Sequence, residues 1–449
     1  MPALTQNTQP PVPRRVLIIS PSFPPNNAPD MQRVRMSLPH YHENGWEPVV
    51  LAVAPETHGG SREEELEATV PADIRIHRVC AFPVKLARLF GIGNLGLRAW
   101  WSLFRAGKKI IREEKIDLVF ISNTQFVSFT LGRLWLRLTG VPYVIDLQDP
   151  WRTDYYEQKG SRKPPGGWKY KLARFQARHL ESWSFRKLSG LISVSGQYID
   201  DLGGRYSWFR DIPTETIIFG ASENDLTAVR KKPAQEVDPE HRGLVRLVYT
   251  GAAGPITPHA VNLVFQALKN FHDKRPDRAN RLRLEFHGTS YAPADRAQPT
   301  IMPYAERLGV SDLVRETAAR MGHLDALRLQ TEAHGLMLLG SADTAYSPSK
   351  LYPYFLAGRP MLGLVPHNSV LEKLLQELNC AHLISFDLDG ENSAAVLSLQ
   401  KFFELALAGF PTGFWPTRNE ELFRREYLAP ALTARQCALF DAALAYHQK

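Results

Sequence analysis

Residues 347–350 read Ser-Pro-Ser-Lys and lead into LYPYFLAGRP, directly after the apolar run HGLMLLG and the polar loop SADTAY. Two hydroxyls, an ammonium and the unpaired N–H groups of a helix start, set at a strand end, favour a bound anion through direct donation and the helix dipole. The helix is expected to begin near Ser347 or Ser349, with Pro348 in its first turn, where no backbone N–H is missed. On that reading Pro353 falls inside the helix. It cannot donate to the Ser349 carbonyl, which is then free to accept a ligand hydroxyl. An ordinary capped helix start beside an exposed lysine is the plain alternative.

A second group lies earlier. Asp146 and Asp149 flank the end of the strand-like YVIDL, with Trp151 and Arg152 following. Carboxylates at a strand end can accept hydrogen bonds from a sugar or an incoming hydroxyl; the alternative is helix capping or an Asp149–Arg152 ion pair. Asn123 follows DLVFIS, and Asn27 and Arg33 lie in and after the loop FPPNNAP, all at comparable strand ends. His40 and His42, two apart on a helical pattern, face different directions. No His, Cys, Asp and Glu grouping has metal spacing, so no metal site is expected.

The elements that would position these residues alternate throughout. In the first half the strands are expected at 15–20, 48–53, 74–79, 117–122, 143–147 and 190–195. After a polar, charged stretch they resume at 245–250, 282–287, 334–340, 361–365 and 381–386. Short β-branched runs separated by helical patterns predict parallel sheets flanked by helices. A chain of 449 residues is long enough for two cores. The expected fold is α/β, with two doubly wound Rossmann-like domains facing an interdomain cleft. The boundaries read as a domain over 14–220, a linker over 221–243, a second domain over 244–410, and helices over 411–449 that pack back on the first domain. Open α/β sheets bind ligands at the carboxyl ends of their strands.

Composition narrows the class. Hydrophobic residues make up 44% and charged residues 22%, as in soluble globular proteins. Three cysteines, Cys80, Cys380 and Cys437, lie far apart, which excludes a disulfide scaffold or zinc ribbon and suits a reducing cytoplasm. The start, MPALTQNTQPPVPRR, reads as a short tail without a signal-peptide core, and no apolar run is long enough for a transmembrane helix. The net charge of +8 sits entirely in residues 1–220, which hold 29 Lys and Arg against 21 Asp and Glu. Residues 85–115 and 159–187 concentrate it and carry aromatics, Trp100, Trp101 and Phe104 in the first and Trp168, Tyr170, Phe175 and Trp183 in the second. In the first segment Leu97, Trp100, Trp101, Phe104 and Ile111 fall on one helical stripe beside Arg98, Arg105, Lys109 and Arg112. This is either a core-facing amphipathic helix or a face that docks on an anionic membrane. No nucleic-acid-reading module is visible, so nucleic acid is not an expected partner.

Six segments, which lie along the chain in the family's order, carry a resemblance. KLYPYFLAGRP resembles the KLxEYLAxGxP segment of GT-B glycosyltransferases of the family 4 type, and GVPYVIDLQDPW is similar to that family's DxRDPW stretch. SPSFPPNNAPDMQRVRMSLPHYHENGWEPVVLA looks like its first strand, loop, helix and second strand. LSGLISVSGQYIDDL looks like the last strand of its acceptor domain. LVYTGAAG and MGHLDALRLQTEAHGLMLLGSAD are similar to the opening and a later region of its donor domain. The resemblance spans roughly residues 15–430 and implies GT-B architecture, with an N-terminal acceptor-binding domain and a C-terminal nucleotide-sugar donor-binding domain.

The resemblance further implies a cytoplasmic hexosyltransferase-type enzyme. It would move a sugar from a nucleotide-sugar to a glycan or lipid-linked acceptor in cell-envelope or exopolysaccharide synthesis, with retention, without a metal, and with possible peripheral attachment to the membrane. Donor contacts fall on Gly251, Gly254, His323, Leu324, Ser347, Ser349, Lys350 and Leu351. Acceptor contacts fall on Asn27, Arg33, Asn123, Asp146 and Arg152. Asp149, where many relatives keep a histidine, and Lys350 are the catalytic candidates. Two departures stand out: Pro353 replaces the family glutamate that binds the donor ribose, and YTGAAGPITPHA lacks the Arg/Lys pair often found there. A hydrogen bond to a charged group contributes about 1.5–3 kcal/mol, so losing that clamp costs roughly 10–150-fold in affinity. A catalytically degenerate sugar-nucleotide-binding or partner subunit is the second reading, and a sugar-nucleotide epimerase, which shares the fold, the third.

Overall fold

The computed structural model describes residues 13–89, 93–152, 168–231, 243–290, 292, 296–344, 349–411 and 417–449. They form two units, one of residues 1–219 and 429–449 and the other of residues 220–428.

Unit 1 is built on a parallel sheet of β1 (Arg14–Ile19), β2 (Trp46–Val53), β3 (Arg75–Val79), β4 (Leu118–Ser122), β5 (Tyr143–Leu147), β6 (Gly190–Ser193) and β7 (Thr214–Thr216), in the order β3-β2-β1-β4-β5-β6-β7. Central strands are buried on both faces, so Val16 to Ile19 are apolar without alternation, as parallel strands between two helix layers must be. The helices used below are α1 (Gln32–Ser37), α2 (Val84–Leu89), α3 (Leu95–Glu113), α4 (Phe129–Thr139) and α5 (Trp168–Phe185). Helix α3 starts where the Asn94 side chain accepts a hydrogen bond from the Leu97 N–H at 3.1 Å. It packs closely on α4, since a Cβ at Gly107 would lie 2.3 Å from the Trp135 ring.

Unit 2 repeats the plan with β8 (Val245–Thr250), β9 (Leu282–His287), β10 (Val314–Thr317), β11 (Gly335–Leu339), β12 (Met361–Pro366) and β13 (His382–Phe386), again all parallel, in the order β10-β9-β8-β11-β12-β13. Its helices include α6 (Glu223–Arg230), α7 (Pro258–Lys274), α8 (His323–Glu332), α9 (Leu351–Ala357) and α10 (Ser393–Leu407). The final helix, α11 (Ala429–His447), rejoins unit 1 and covers the sheet face opposite α3. There Phe440, fully buried, packs its ring 5.3 Å from Trp46 and 5.0 Å from Phe120.

Four differences from the sequence reading have physical causes. Strands β7 and β10 were not expected, because both are short, polar edge strands that need no apolar face on each side. Part of the expected linker is α6, whose Asp225, Leu226 and Val229 are buried despite the segment's polar composition. Of the last helices, Glu420–Tyr427 stays with unit 2 and only α11 joins unit 1. Helix α9 begins at Leu351 rather than near Ser347 or Ser349, with Lys350 at its N-cap.

That last shift removes the anomaly of Pro353. The proline is the third helical residue, where an N–H would have no intrahelical acceptor. The first helical bond runs from the Tyr354 N–H to the Lys350 carbonyl at 3.2 Å. No helical hydrogen bond is therefore lost at Ser349.

Candidate functional site

In unit 2 the candidate residues gather at the carboxyl end of β8. The strand ends in Tyr249 and Thr250, and the chain turns through Gly251 at φ 103° and Gly254 at φ 70°. A Cβ at Gly254 would lie 2.6 Å from the Thr300 carbonyl oxygen, so the turn needs glycine for space as well as for φ. The Tyr249 hydroxyl donates to the Ala252 carbonyl at 2.7 Å. Lys350 reaches the same place: its Nζ donates to the Tyr249 hydroxyl and, at 3.4 Å, to the Ala252 carbonyl, and a Cβ on Gly251 would sit 3.4 Å from it. Burial of this ammonium lowers its pKa from 10.5 to about 7. Among the described residues no carboxylate pairs with it.

Behind Lys350 the helix is anchored to the strand. The Thr250 N–H donates to the Tyr354 hydroxyl at 2.7 Å, and Gln330 Nε2 donates to Thr250 Oγ1 at 2.9 Å. Tyr354 is fully buried, and burial raises its pKa to about 12, so it stays a neutral strut.

The other expected donor contacts are placed less directly. Ser349 is exposed just ahead of α9, and Ser347 lies outside the described residues. Leu324 and Leu351 are buried in the core, which leaves only their backbones for a ligand. His323, at the start of α8, pairs through Nε2 with Asp225 Oδ2 of α6 at 2.8 Å. Sequence reasoning missed Tyr249, Tyr354 and Gln330, because nothing local marks a tyrosine at a strand end as the partner of a lysine about a hundred residues away.

In unit 1 the candidates converge at the carboxyl ends of β1, β4 and β5. Asp146, fully buried at the end of β5, accepts through Oδ2 from Arg33 Nε at 2.7 Å, Ser122 Oγ at 2.8 Å and Gln148 Nε2 at 2.8 Å. The same guanidinium donates to the Ile217 carbonyl at 2.6 Å and lies over the Phe219 ring. Arg33 is thus a buried brace of unit 1. Asn123 is likewise committed, donating to the Ile19 carbonyl at 3.2 Å and accepting from the Gln125 N–H at 2.8 Å and Ser128 Oγ at 3.0 Å. Asn27 is buried, with backbone hydrogen bonds to Ser61.

Asp149 and Arg152 do not pair. Arg152 turns to Tyr206 Oη at 3.4 Å and Glu181 Oε1 at 3.8 Å. Asp149 makes no hydrogen bond or ion pair among the described residues and is exposed. The protein packed beside it and the Asp30 charge raise its pKa. Asp30, which sequence reasoning missed, is buried; Oδ2 accepts from the Thr124 N–H and Oγ1 at 3.2 and 3.1 Å, while burial raises its pKa.

Around this group five buried polar atoms find no partner among the described residues: Ser20 Oγ, Asn26 Oδ1, Asp30 Oδ1, Asp146 Oδ1 and Gln148 Oε1. All but the serine hydroxyl are pure acceptors. Among the described residues no group of three or more His, Cys, Asp or Glu side chains could hold a metal ion.

Two Rossmann-like α/β units of this kind define a GT-B-type fold. Residues 32–212, within unit 1, match the model of the glycosyl transferase 4-like domain. Among solved structures, the chain is similar to the N-terminal domain of trehalose-6-phosphate phosphatase from Candida albicans. That match has 11% identity, covers 95% of this chain and 97% of that one, and gives a TM-score of 0.59. It is also similar to a UDP-forming α,α-trehalose-phosphate synthase from Burkholderia xenovorans in complex with glucose-6-phosphate, at 11% identity over 95% of this chain and 100% of that one, with a TM-score of 0.57. At such identities these structures speak for the fold. No curated protein matches the chain by sequence.

Proposed function

We propose that the protein is a nucleotide-sugar-dependent glycosyltransferase that moves a hexosyl group to a hydroxyl of a glycan or lipid-linked acceptor in cell-envelope or exopolysaccharide synthesis. The observation that carries the reading is Lys350: an ammonium drawn into a glycine-lined turn at a strand end, beside Tyr249, with no carboxylate counter-charge among the described residues. A donor diphosphate supplies that charge. As the glycosidic bond breaks, negative charge grows on the leaving diphosphate, and an ammonium already in place stabilises it more than it stabilises the ground state. No metal is required in this scheme, since Lys350 carries the compensation.

In unit 1, Asp149 is the exposed carboxylate able to accept a proton or hydrogen bond from the incoming hydroxyl, and its raised pKa brings its basicity nearer neutral pH. Retention of anomeric configuration is the outcome we assign by family resemblance.

Pro353 at the position of the family's ribose-binding glutamate favours the second reading, a sugar-nucleotide-binding subunit without turnover. A thermal-shift panel of UDP, GDP, ADP and dTDP sugars, followed by nucleotide-release assays with glycan and lipid extracts, separates the two. Stabilisation with acceptor-dependent release is expected. Stabilisation without release with any extract supports the binding subunit, and no stabilisation by any nucleotide overturns both readings.

A further inference from the structure

Five large apolar side chains of unit 1 are exposed close together in sequence: Phe82 (50%), Leu86 (49%) and Leu89 (79%) in and before α2, and Leu97 (49%) and Trp101 (60%) on α3. The two segments are tied together in space. The Phe82 N–H donates to the Arg98 carbonyl at 3.0 Å, and Arg98 Nη1 donates to the Phe82 carbonyl at 2.8 Å. Arg98 is therefore not a surface charge, as the helical stripe suggested. It is buried and donates also to the carbonyls of Thr57 and His58. Trp100 and Phe104 pack partly on the core, and Ile111 is buried, so the stripe divides. Trp101 stays outside, stacked on Phe104 at 5.6 Å, which fixes its ring.

The exposed ridge of α3 then changes character. Leu97, Trp101, Arg105 and Lys109 follow at intervals of four and share one face. Arg105, Lys109 and Arg112 are exposed, and Lys85 of α2 adds a fourth exposed cation beside the apolar end. Glu113, 3.9 Å from Lys109, is the acidic residue of this helix. An apolar, aromatic tip that passes into a basic ridge complements a lipid–water interface with anionic headgroups: the tip enters the acyl boundary and the cations meet the phosphates.

We infer that α2 and the exposed ridge of α3 form a docking surface for an anionic lipid bilayer. The charge complementarity commits the face to lipid, because a partner protein or a second copy of this chain would have to offer both an apolar hollow and an acidic stripe in line. No helix of the described residues is long and apolar enough to cross a membrane, so the contact is a surface one. It stands independently of the glycosyl-transfer reading.

Vesicle co-sedimentation tests it with the full chain. Vesicles of phosphatidylcholine alone and with 30% phosphatidylglycerol are compared at low and high salt. Binding to the anionic vesicles is expected, weakening as salt rises, since each basic residue near such a surface multiplies partitioning by about fivefold. Leu89→Glu with Trp101→Glu should lower partitioning at least tenfold, and Arg105→Glu with Lys109→Glu similarly, with melting temperatures unchanged because these side chains are exposed. Equal binding by wild type and variants, or no binding to anionic vesicles, overturns the inference. So does a wild-type dimer that the Leu89→Glu and Trp101→Glu variant abolishes, which would assign the face to a second copy.

Discussion

The ammonium of Lys350 donates to the Tyr249 hydroxyl at the carboxyl end of β8, with no carboxylate among the described residues to balance it. Burial there lowers its pKa to about 7, whereas the unfolded chain keeps the ordinary value of 10.5. Between those values the unfolded state binds more protons, so the burden of a buried charge is present below pH 7 and is relieved as pH rises toward 10.5.

A bound diphosphate reverses this preference and restores the proton. Binding of a nucleotide-sugar should therefore take up protons above pH 7, and affinity should fall up to tenfold per pH unit there. Calorimetry in buffers of different ionisation enthalpy checks this. Lys350→Met should abolish the proton uptake.

Asp149 should matter for turnover and little for folding. Because its folded pKa is raised, its charge at neutral pH opposes stability slightly, and removing it leaves the fold as stable or more so. Asp149→Asn should lower kcat by about 100-fold or more, with the melting temperature unchanged or higher. Steady-state kinetics and thermal melts, run together, distinguish this from a structural role.

Arg33 should show the opposite pattern. Its ion pair with Asp146 is buried on both sides, so Arg33→Ala strands a carboxylate inside unit 1. Breaking such a pair costs about 3–5 kcal/mol. Chemical denaturation should show that loss, and Arg33→Met combined with Asp146→Asn should lose clearly less than the two single changes added.

Pro353→Glu should be tolerated. The residue occupies the third position of α9, where a proline sacrifices no hydrogen bond and a glutamate gains from the helix dipole. Nucleotide affinity should stay the same or improve up to about 100-fold if the new carboxylate meets the ribose. Titration calorimetry reads the affinity, and a collapse of the fold in thermal melts would show that the proline braces the segment.

Much of this architecture is legible in the residues. Strands β1, β4, β5, β8 and β11 stand out because a parallel strand buried on both faces calls for a run rich in apolar and β-branched residues. The edge strands Thr214–Thr216 and Val314–Thr317 carry no such demand and leave no mark. Asp146, Asp149 and Lys350 could be singled out because strand ends and helix starts have local signatures. What each is paired with could not be read: Arg33 with Asp146, Lys350 with Tyr249 and Arg152 with Glu181 are set by chain folding across long separations. Arg98 shows the same limit, since a helical wheel places it among surface charges while the loop carbonyls of Thr57 and His58 draw it inward.

The central claim is that Lys350 grips a diphosphate, and titration calorimetry of Lys350→Met against wild type tests it most directly. The ligand is whichever nucleotide-sugar stabilises the wild type most. We expect affinity to drop by about 10–150-fold while the melting temperature of the free variant holds or rises, because a buried charge with no counter-charge among the described residues has been removed. Undiminished affinity in a folded variant would contradict the account.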